Sequence, residues 1–335
     1  MNVRNLSTNE RKCVDFRRVS WEPITEDVLY SINDDTEVET AKQFELNQWV
    51  EYKVFDEVED VGQEIITTRW VITKNIEKSQ IKARLVARGF EEDSTNIQTD
   101  SPICKENLRL VSSLGLSYGW KMHTIDVKAA FLQGFPIDRT IYLLPPPEAA
   151  TNKLWKLNTS VYGLCDASRA WYLKVFDELE KCGAKRSIYD NALFFLRTES
   201  TLLEILCSHV DDFYFVGSEH FITSVVQPIR NQFNLSREHD RLFKFLGVKM
   251  HESNDKISLN QIQYINSIEP ILVNNITQKI KEEINRGEAR QLKGLVGQLQ
   301  WVAKQTRPDI SFAACQLSTR LKDATYAEIR YATNN

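Results

Sequence analysis

Two short acidic segments interrupt strongly apolar stretches of this chain. One is IDVKAAF at residues 125–131, and the other is HVDDF at residues 209–213. Carboxylates set among strand-forming apolar residues are costly to bury unless a cation meets them. Carboxylate oxygens from separate segments are the ligands that hard divalent cations such as Mg²⁺ prefer. The pattern therefore predicts that Asp126, Asp211 and Asp212 meet at a metal site suited to two-metal phosphoryl chemistry.

An aspartate pair at a hairpin turn also has an ordinary structural interpretation. Asp tolerates turn geometry well, so Asp211 and Asp212 taken alone are consistent with simple turn chemistry. Two features favour the metal site. Apolar strands flank the turn, and Asp126 ends a predicted strand that is suited to lie beside the hairpin in one sheet.

Length, hydropathy and cysteine spacing narrow the class of protein. A chain of 335 residues suits about two domains. It has no apolar run of about 18 residues, and residues 1–5 are polar, so we expect no membrane span and no secretion. The six cysteines are scattered without a C-x-x-C pair, which argues against zinc clusters and disulfide frameworks and favours free thiols in an intracellular protein.

The net charge of −4 conceals an uneven distribution of charge along the chain. Residues 22–60 carry thirteen acidic and two basic side chains, whereas residues 69–88 carry six basic and one acidic. A basic stripe of this kind can hold an anion even when the total charge is negative. For Lys74 and Lys78, the solvated tip of a hairpin is an equally good interpretation.

Lys82 and Arg84 are the strongest candidates for binding an anion. They lie two residues apart in a predicted strand, so both side chains point to the same face. Arginine suits bidentate contact with phosphate, and lysine supplies a point charge. We therefore expect them to clamp a nucleoside triphosphate against the metal site.

The periodicity of apolar residues and the turn signals predict an α+β chain, not a doubly wound parallel sheet. Residues 1–40 are predicted to be a polar lead-in that is poorly ordered, and a helical subdomain is predicted to begin near Asn274. Asp166 or Ser168 is expected to cap the helix at 167–181, and Gly183 to close it. The predicted helices are 40–52, 108–118, 167–181, 222–233, one around 292–299 and 308–321; the predicted strands are 65–73, 81–88, 122–127, 141–144, 202–210, 213–216, 243–250 and 256–259.

A series of short blocks resembles the reverse transcriptases of copia-type retrotransposons. The blocks are KARLVARGF at 82–90, IDVKAAFLQG at 125–134, LWKL at 154–157, VYGL at 161–164, RAWY at 169–172, VDD at 210–212, FLG at 245–247, LVGQL at 295–299 and TRPDI at 306–310. They stand in the order that the family has and cover roughly residues 48–321. One block alone would be a weak signal, whereas the whole series is highly specific.

The resemblance implies a right-hand polymerase fold with fingers, a palm built on an antiparallel sheet, and a helical thumb or connection. The implied division is 1–40 lead-in, 41–120 fingers, 121–260 palm with a primer-grip hairpin, and 261–335 thumb or connection, truncated before a ribonuclease H domain. The implied activity is template-directed addition of deoxynucleotides to a primer 3′-hydroxyl. The implied partners are an RNA or DNA template with its primer, deoxynucleoside triphosphates, and the ribonuclease H and integrase segments of a Pol polyprotein, in a cytoplasmic virus-like particle or in the nucleus.

The resemblance also implies roles for single residues. Asp126 and Asp211 would bind two Mg²⁺ ions, or Mn²⁺, with Asp212 completing the site. The carbonyl of Val127 would be a further ligand. Phe131 would block a ribose 2′-hydroxyl, although an ordinary core aromatic is the alternative interpretation.

Four further positions bear on the contacts with nucleic acid. Gly163 would let template and nucleotide approach the backbone closely. His209 stands where the family usually has tyrosine, and it is either a primer contact or a satisfied, partly buried imidazole. Asp166 and Ser168 replace the frequent Gln and Pro, so an added negative charge near the template is expected to weaken binding there.

Two other functions stay open at this point. One is a non-catalytic nucleic-acid-binding remnant of a retrotransposon polyprotein, which would keep the fold and the basic surface without turnover. The other is a two-metal nuclease, which shares the ligand chemistry. Phe131 and the resemblance to the primer grip argue against the nuclease.

Overall fold

Helices and antiparallel sheets make up the part of the chain that the computed structural model describes. This part is residues 2–4, 11–13, 35–75, 80–93, 95–104, 107–199, 201–253, 256–273 and 275–334. Most of the predicted lead-in, together with Lys78, the turn at 254–255 and Asn274, lies outside the described residues. Strands and helices are both abundant and the main sheet is antiparallel, so the α+β prediction is confirmed.

The elements are numbered in chain order. The strands are β1 (Asn2–Arg4), β2 (Arg11–Cys13), β3 (Phe55–Val58), β4 (Thr68–Asn75), β5 (Gln80–Ala87), β6 (Lys121–Val127), β7 (Tyr142–Leu143), β8 (Leu154–Leu157), β9 (Lys185–Arg186), β10 (Leu193–Arg197), β11 (Leu202–His209), β12 (Asp212–Gly217), β13 (Leu235–Asp240), β14 (Leu242–Phe245), β15 (Val248–Ser253) and β16 (Lys256–Asn260). The helices are α1 (Asp35–Glu51), α2 (Asn107–Ser117), α3 (Ala167–Lys181), α4 (Glu219–Phe221), α5 (Gln227–Gln232), α6 (Ile262–Asn266), α7 (Arg286–Gln305), α8 (Ser311–Thr319) and α9 (Tyr326–Asn334).

A six-stranded sheet carries both acidic segments. Its strand order is β13-β6-β12-β11-β10-β9, so the strand that ends near Asp126 lies directly beside the hairpin that carries Asp211 and Asp212. The β11–β12 hairpin matches the predicted one within about one residue at each end. The edge strand β13 was not predicted, because its sequence, LSREHD, is rich in charge and shows no apolar alternation.

Helix α3 packs on this sheet and matches its predicted bounds. Trp171, Val175 and Leu179 recur at helical spacing, and all three are buried in one core cluster with apolar residues of the sheet. Gly183 follows the helix with φ of +84°, as the predicted C-terminal glycine requires. Asp166 occupies the N-cap position but makes no capping hydrogen bond, so the predicted side-chain cap is wrong.

Helix α1 packs against the basic hairpin formed by β4 and β5. Leu46 and Trp49 of α1 share a core cluster with Leu85. Along β5 the burial alternates: residues 81, 83 and 85 are buried, whereas Lys82 and Arg84 are exposed, as the sequence predicts. The helix begins at Asp35, before the predicted start near residue 40.

Three predicted elements differ in the structure. The predicted strand 243–250 is two strands, β14 and β15, separated by a turn in which Leu246 and Gly247 have φ of +49° and +73°. Two positive φ values suit a tight hairpin turn, which periodicity alone does not reveal. The predicted helix 222–233 begins earlier, at α4, and contains a π-helical turn, Ile222–Val226. The predicted helix 308–321 is a 3₁₀ turn, Pro308–Ile310, followed by α8, and α9 was missed.

The contacts between residues divide the chain into two units. Among the described residues, one holds residues 35–245 and 251–257, and the other holds residues 246–250 and 258–334 together with β1 and β2. The helices of the second unit have their own core, which includes Leu292, Val296 and Ile329. The division into fingers, palm and thumb stays a prediction. Among the described helices, none is long and apolar enough to cross a membrane.

Candidate active site

Pairing of β6 with β12 brings the three predicted carboxylates together. Asp126 lies directly opposite Asp212 in the antiparallel register, and Asp211 sits in the turn just before β12. One carboxylate oxygen from each of the three residues lies within 4.8 Å of the other two. Three oxygen donors at this spacing fit a hard divalent cation. The predicted convergence is therefore present in the structure.

The turn between β11 and β12 is held in an unusual backbone conformation. Val210 has φ of +59°, a left-handed conformation that is costly for a β-branched residue. Two hydrogen bonds hold the turn: Trp171 Nε1 donates to the Val210 carbonyl at 2.6 Å, and the Val127 N–H donates to the Asp211 carbonyl at 3.0 Å. The core helix α3 and the strand β6 thus fix the position of Asp211.

The electrostatic surroundings of Asp211 favour a bound cation. Burial raises the pKa of Asp211, and the negative charge of Asp126 acts in the same direction, whereas a backbone hydrogen bond and the charges of Arg84 and His209 oppose the rise. Partly buried carboxylates that repel one another lower the stability of the fold unless positive charge is supplied. A divalent cation would supply that charge.

A cavity of about 1310 Å³ opens beside the three carboxylates. Its lining includes the end of β6, the turn at Asp211, residues 81–84 of β5 and one side of α1. Lys82 and Arg84 therefore lie in the same cavity as the carboxylates, as predicted, and Val127 also lines it. The cavity has an acidic part and a basic part, as a site for a metal-bound polyphosphate requires.

Tyr162 lines the cavity and was not singled out from the sequence. The guanidinium of Arg84 lies 5.8 Å from the centre of the Tyr162 ring. Burial raises the pKa of the Tyr162 phenol, and the negative charge of Glu45 acts in the same direction. The sequence contains one indication of its importance: Tyr162 precedes Gly163 in the VYGL block, of which only the glycine was assigned a role.

Phe131 is not among the residues that line the cavity. Its side chain is partly buried and packs against two core clusters, and its ring centre lies 5.0 Å from that of Tyr162. Phe131 thus has the packing of a core aromatic, whereas Tyr162 and Phe44 are aromatic residues that line the cavity. The role of Phe131 in excluding a 2′-hydroxyl stays a prediction.

Close packing of the backbone explains the glycine at position 163. Gly163 has φ of +95°, and a Cβ there would lie 2.0 Å from the carbonyl oxygen of Ala87. The Ala87 N–H donates to the Tyr162 carbonyl at 2.8 Å, which ties β5 to this loop. Any side chain at 163 would separate the two segments. An approach of template or nucleotide to Gly163 stays a prediction.

Two positions that depart from the family pattern have partners in the structure. His209 Nδ1 lies 3.0 Å from the carbonyl oxygen of Cys104, which makes it the donor and agrees with the interpretation of a satisfied, partly buried imidazole. Asp166 accepts from Arg139, whose NH1 lies 2.5 Å from one carboxylate oxygen, and Arg139 also binds Glu92. The negative charge of Asp166 is therefore balanced by the guanidinium of Arg139.

Comparison with known proteins agrees with this geometry. The family described as "Reverse transcriptase (RNA-dependent DNA polymerase)" matches residues 51–282. The chain is 30% identical over 279 residues to the "Retrovirus-related Pol polyprotein from transposon RE1" of Arabidopsis thaliana, covering 76% of this chain and 19% of that protein. It is 29% identical over 369 residues to the corresponding polyprotein from transposon TNT 1-94 of Nicotiana tabacum, covering 95% of this chain and 27% of that protein. The chain thus spans about a fifth to a quarter of the length of these relatives.

A solved structure has the same fold. A foamy viral protease–reverse transcriptase in complex with double-stranded DNA superposes with a TM-score of 0.54 at 12% sequence identity, covering 90% of this chain and 47% of that one. The α+β polymerase fold implied by the sequence blocks is therefore confirmed. The family match covers most of the chain, and the three aspartates lie together within it. This chain belongs to the reverse transcriptase family, of the type found in the Pol polyproteins of copia-type retrotransposons.

Proposed function

We propose that this chain adds deoxynucleotides to the 3′-hydroxyl of a primer paired with an RNA or DNA template. One observation carries the proposal: three carboxylate oxygens lie within 4.8 Å of one another in a cavity that also holds Lys82 and Arg84. This arrangement suits a reaction between a hydroxyl and a triphosphate that needs positioning and charge stabilisation and no covalent protein intermediate.

Two divalent cations, Mg²⁺ or Mn²⁺, fit the donor set of this site. Asp126, Asp211 and Asp212 would hold them, with the carbonyl of Val127 as a further ligand. When bound, such a pair of ions activates the attacking hydroxyl and stabilises the leaving pyrophosphate. The protein holds the carboxylates in place through the β6–β12 register and through the two hydrogen bonds at the turn.

The basic strand β5 supplies the other part of the site. Lys82 and Arg84 project from the same face of β5 into the cavity and would bind the triphosphate of the incoming nucleotide. The planar guanidinium of Arg84 suits two phosphate oxygens at once. Tyr162 lies beside Arg84 and would meet the sugar or the phosphate next to it.

A primer-extension assay with Mg²⁺ tests the proposal directly. We expect the wild-type chain to lengthen an annealed primer on both RNA and DNA templates when deoxynucleotides are supplied. Salt-dependent binding of the primer–template without extension would favour the non-catalytic remnant. Release of short oligonucleotides in the absence of nucleotides would favour the two-metal nuclease.

Selection between deoxyribose and ribose is a second point to test. We expect Phe131→Ala to admit ribonucleotides about tenfold more readily, because removing the ring opens space at the sugar. Since Tyr162 lines the cavity and Phe131 packs behind it, Tyr162→Ala is the matched comparison. The measurement is the ratio of kcat/KM for dCTP and CTP on one template. If only Tyr162→Ala lowers the preference for dCTP over CTP, Tyr162 and not Phe131 excludes the 2′-hydroxyl. An unchanged ratio of kcat/KM values in both variants would refute a role for either ring.

Removal of the Lys82 ammonium is expected to act on nucleotide binding. We expect Lys82→Ala to raise the KM for nucleotide about tenfold, with a smaller effect on primer–template affinity, because one charge-assisted contact with phosphate is lost. Steady-state kinetics and anisotropy of a labelled primer–template measure the two effects. The exposed Lys74 of β4 gives a control, Lys74→Ala. Weaker primer–template binding with an unchanged KM would place Lys82 in the template channel.

The proposed partners follow from the same reaction. They are a primer–template, deoxynucleoside triphosphates and, in a parent Pol polyprotein, ribonuclease H and integrase segments. A location in a cytoplasmic virus-like particle or in the nucleus stays a prediction.

A further inference from the structure

Glu45 is a buried carboxylate in the wall of the cavity that no catalytic role accounts for. It lies on α1, and only 5% of its surface is exposed. Its Oε1 accepts from the Leu85 N–H and from Trp49 Nε1, both at 3.3 Å. These bonds fix the carboxylate between α1 and β5, one residue along the strand from Arg84. A carboxylate seldom remains buried without a charged partner.

Arg84 is the charged group that Glu45 faces. Burial raises the pKa of Glu45, and the hydrogen bonds from Leu85 and Trp49 and the positive charge of Arg84 oppose that rise. The same guanidinium lies 5.8 Å from the centre of the Tyr162 ring, and its positive charge also opposes the rise in the pKa of Asp211. Arg84 therefore shares the cavity with Glu45 and Tyr162 on one side and with Asp211, of the cluster of three carboxylates, on the other.

The negative charges in the wall and in the carboxylate cluster attract the Arg84 guanidinium in different directions. Attraction to the carboxylate cluster alone would draw Arg84 across the cavity, where it would neutralise the carboxylates and fill the space that a triphosphate needs. A fixed negative charge in the wall opposes this movement. Because Glu45 is held by a backbone N–H and a buried indole, it can act as that fixed charge without moving itself.

We propose that Glu45 is a positioning residue that, together with Tyr162, holds the Arg84 guanidinium on the β5 side of the cavity, ready for the triphosphate of an incoming nucleotide. The inference rests on the proposed function. Glu45 acts through Arg84 and touches neither the nucleotide nor the metal ions.

Glu45→Gln is the variant that tests the proposal with the least disturbance. The amide oxygen of glutamine keeps an acceptor for Leu85 and Trp49, while the negative charge is lost. We expect the KM for deoxynucleotide to rise about tenfold, with kcat and the midpoint of thermal unfolding nearly unchanged. Glu51→Gln is the matched control, since Glu51 is an exposed carboxylate on the same helix that does not line the cavity. A lower unfolding midpoint with an unchanged KM would mean a purely structural role and would overturn the proposal.

A double-mutant cycle separates positioning from a direct contact. In an Arg84→Ala background, we expect Glu45→Gln to have no further effect on KM, because the group that it positions is absent. Independent effects of the two substitutions, adding in free energy, would overturn the proposal. Glu45→Asp is expected to restore part of the nucleotide affinity that Glu45→Gln loses, because the charge returns on a shorter stem.

Direct binding of dATP with Mg²⁺, measured by isothermal titration calorimetry on the full chain, distinguishes failure of the proposed function from failure of the positioning role of Glu45 alone. If the wild-type chain neither extends a primer nor binds dATP, the proposed function fails and this inference fails with it. If the wild-type chain extends primers and Glu45→Gln binds dATP as tightly as the wild type, only the role of Glu45 fails. A weaker dATP complex in Glu45→Gln, with wild-type affinity in Glu51→Gln, supports the positioning role.

Discussion

Replacing Asp211 with asparagine is expected to lower the rate of primer extension about a thousandfold while the fold stays intact. Asp211 shares the cluster with Asp126 and Asp212, and the amide of asparagine is a neutral and weaker ligand for a hard cation. Loss of several kcal/mol of charge stabilisation in the transition state corresponds to a rate change of this size. The free energy of unfolding is expected not to fall, because the repulsion between Asp211 and Asp126 is removed.

Single-nucleotide extension under single-turnover conditions measures this effect, and urea unfolding of the same preparations checks the fold. Asp177→Asn is the matched control, because Asp177 is a partly exposed carboxylate on α3 that pairs only with Lys181 among the described salt bridges. We expect the control to extend primers at the wild-type rate. Equal rates for Asp211→Asn and the wild type would remove the carboxylate cluster from the chemistry.

The stability of this chain is expected to fall as the pH rises, and Glu204 is the main cause that the structure identifies. Glu204 lies on β11, on the same face as Leu206 of the core, and only 2% of its surface is exposed. Its Oε2 has no hydrogen-bond partner among the residues that the structure describes. Burial raises the pKa of Glu204 to about 9, from an ordinary value of 4.5. The folded chain therefore keeps a proton on Glu204 at neutral pH.

The sign of the pH dependence follows from the difference in bound protons. Between pH 4.5 and pH 9 the folded state holds a proton on Glu204 that the unfolded state has released. The free energy of unfolding then falls as pH rises, by about 1.4 kcal/mol for each pH unit inside this window. From pH 5 to pH 8 the loss amounts to about 4 kcal/mol, a large part of the stability of a typical domain.

Glu204→Gln isolates this contribution, since it replaces the protonated carboxyl by a neutral group of the same shape. We expect the variant and the wild type to have similar stability at pH 5, and the variant to be more stable by about 4 kcal/mol at pH 8. Urea unfolding at pH 5, 6, 7 and 8 measures the difference. Glu219→Gln is the control, because it removes the same kind of charge from a side chain that is 90% exposed. A difference between Glu204→Gln and the wild type that does not change with pH would contradict an elevated pKa.

Local sequence signals determined much of the fold and the acidic part of the site. The alternation of apolar and basic residues in β5, the helical spacing in α3 and the apolar strands around Asp211 each predicted their element within a few residues. Such elements are governed by short-range periodicity, which a sequence displays directly. The three carboxylates were found for the same reason, because an acidic residue in an apolar strand is conspicuous.

Features that depend on distant partners were missed or assigned differently. The strand β13 forms because β6 offers a free edge, and its own residues give no apolar alternation. Asp166 or Ser168 was predicted to cap α3, but the N-cap residue Asp166 makes no capping bond and Arg139 binds its carboxylate instead. Tyr162 lines the cavity but was not singled out from the sequence, whereas the role of Phe131 at the sugar stays a prediction.

The sequence by itself determined which chemistry this chain can support: a cluster of acidic ligands, a basic strand and the ordered blocks of a reverse transcriptase. These depend on residue type and near-neighbour spacing, which the chain carries at every stage of folding. Only the tertiary structure decided that Asp126 lies opposite Asp212, that α1 brings Glu45 against β5 at Leu85, next to Arg84, and that Tyr162 lines the cavity. Those relations join segments that are tens of residues apart, so they are set by strand register and core packing, which no local pattern encodes.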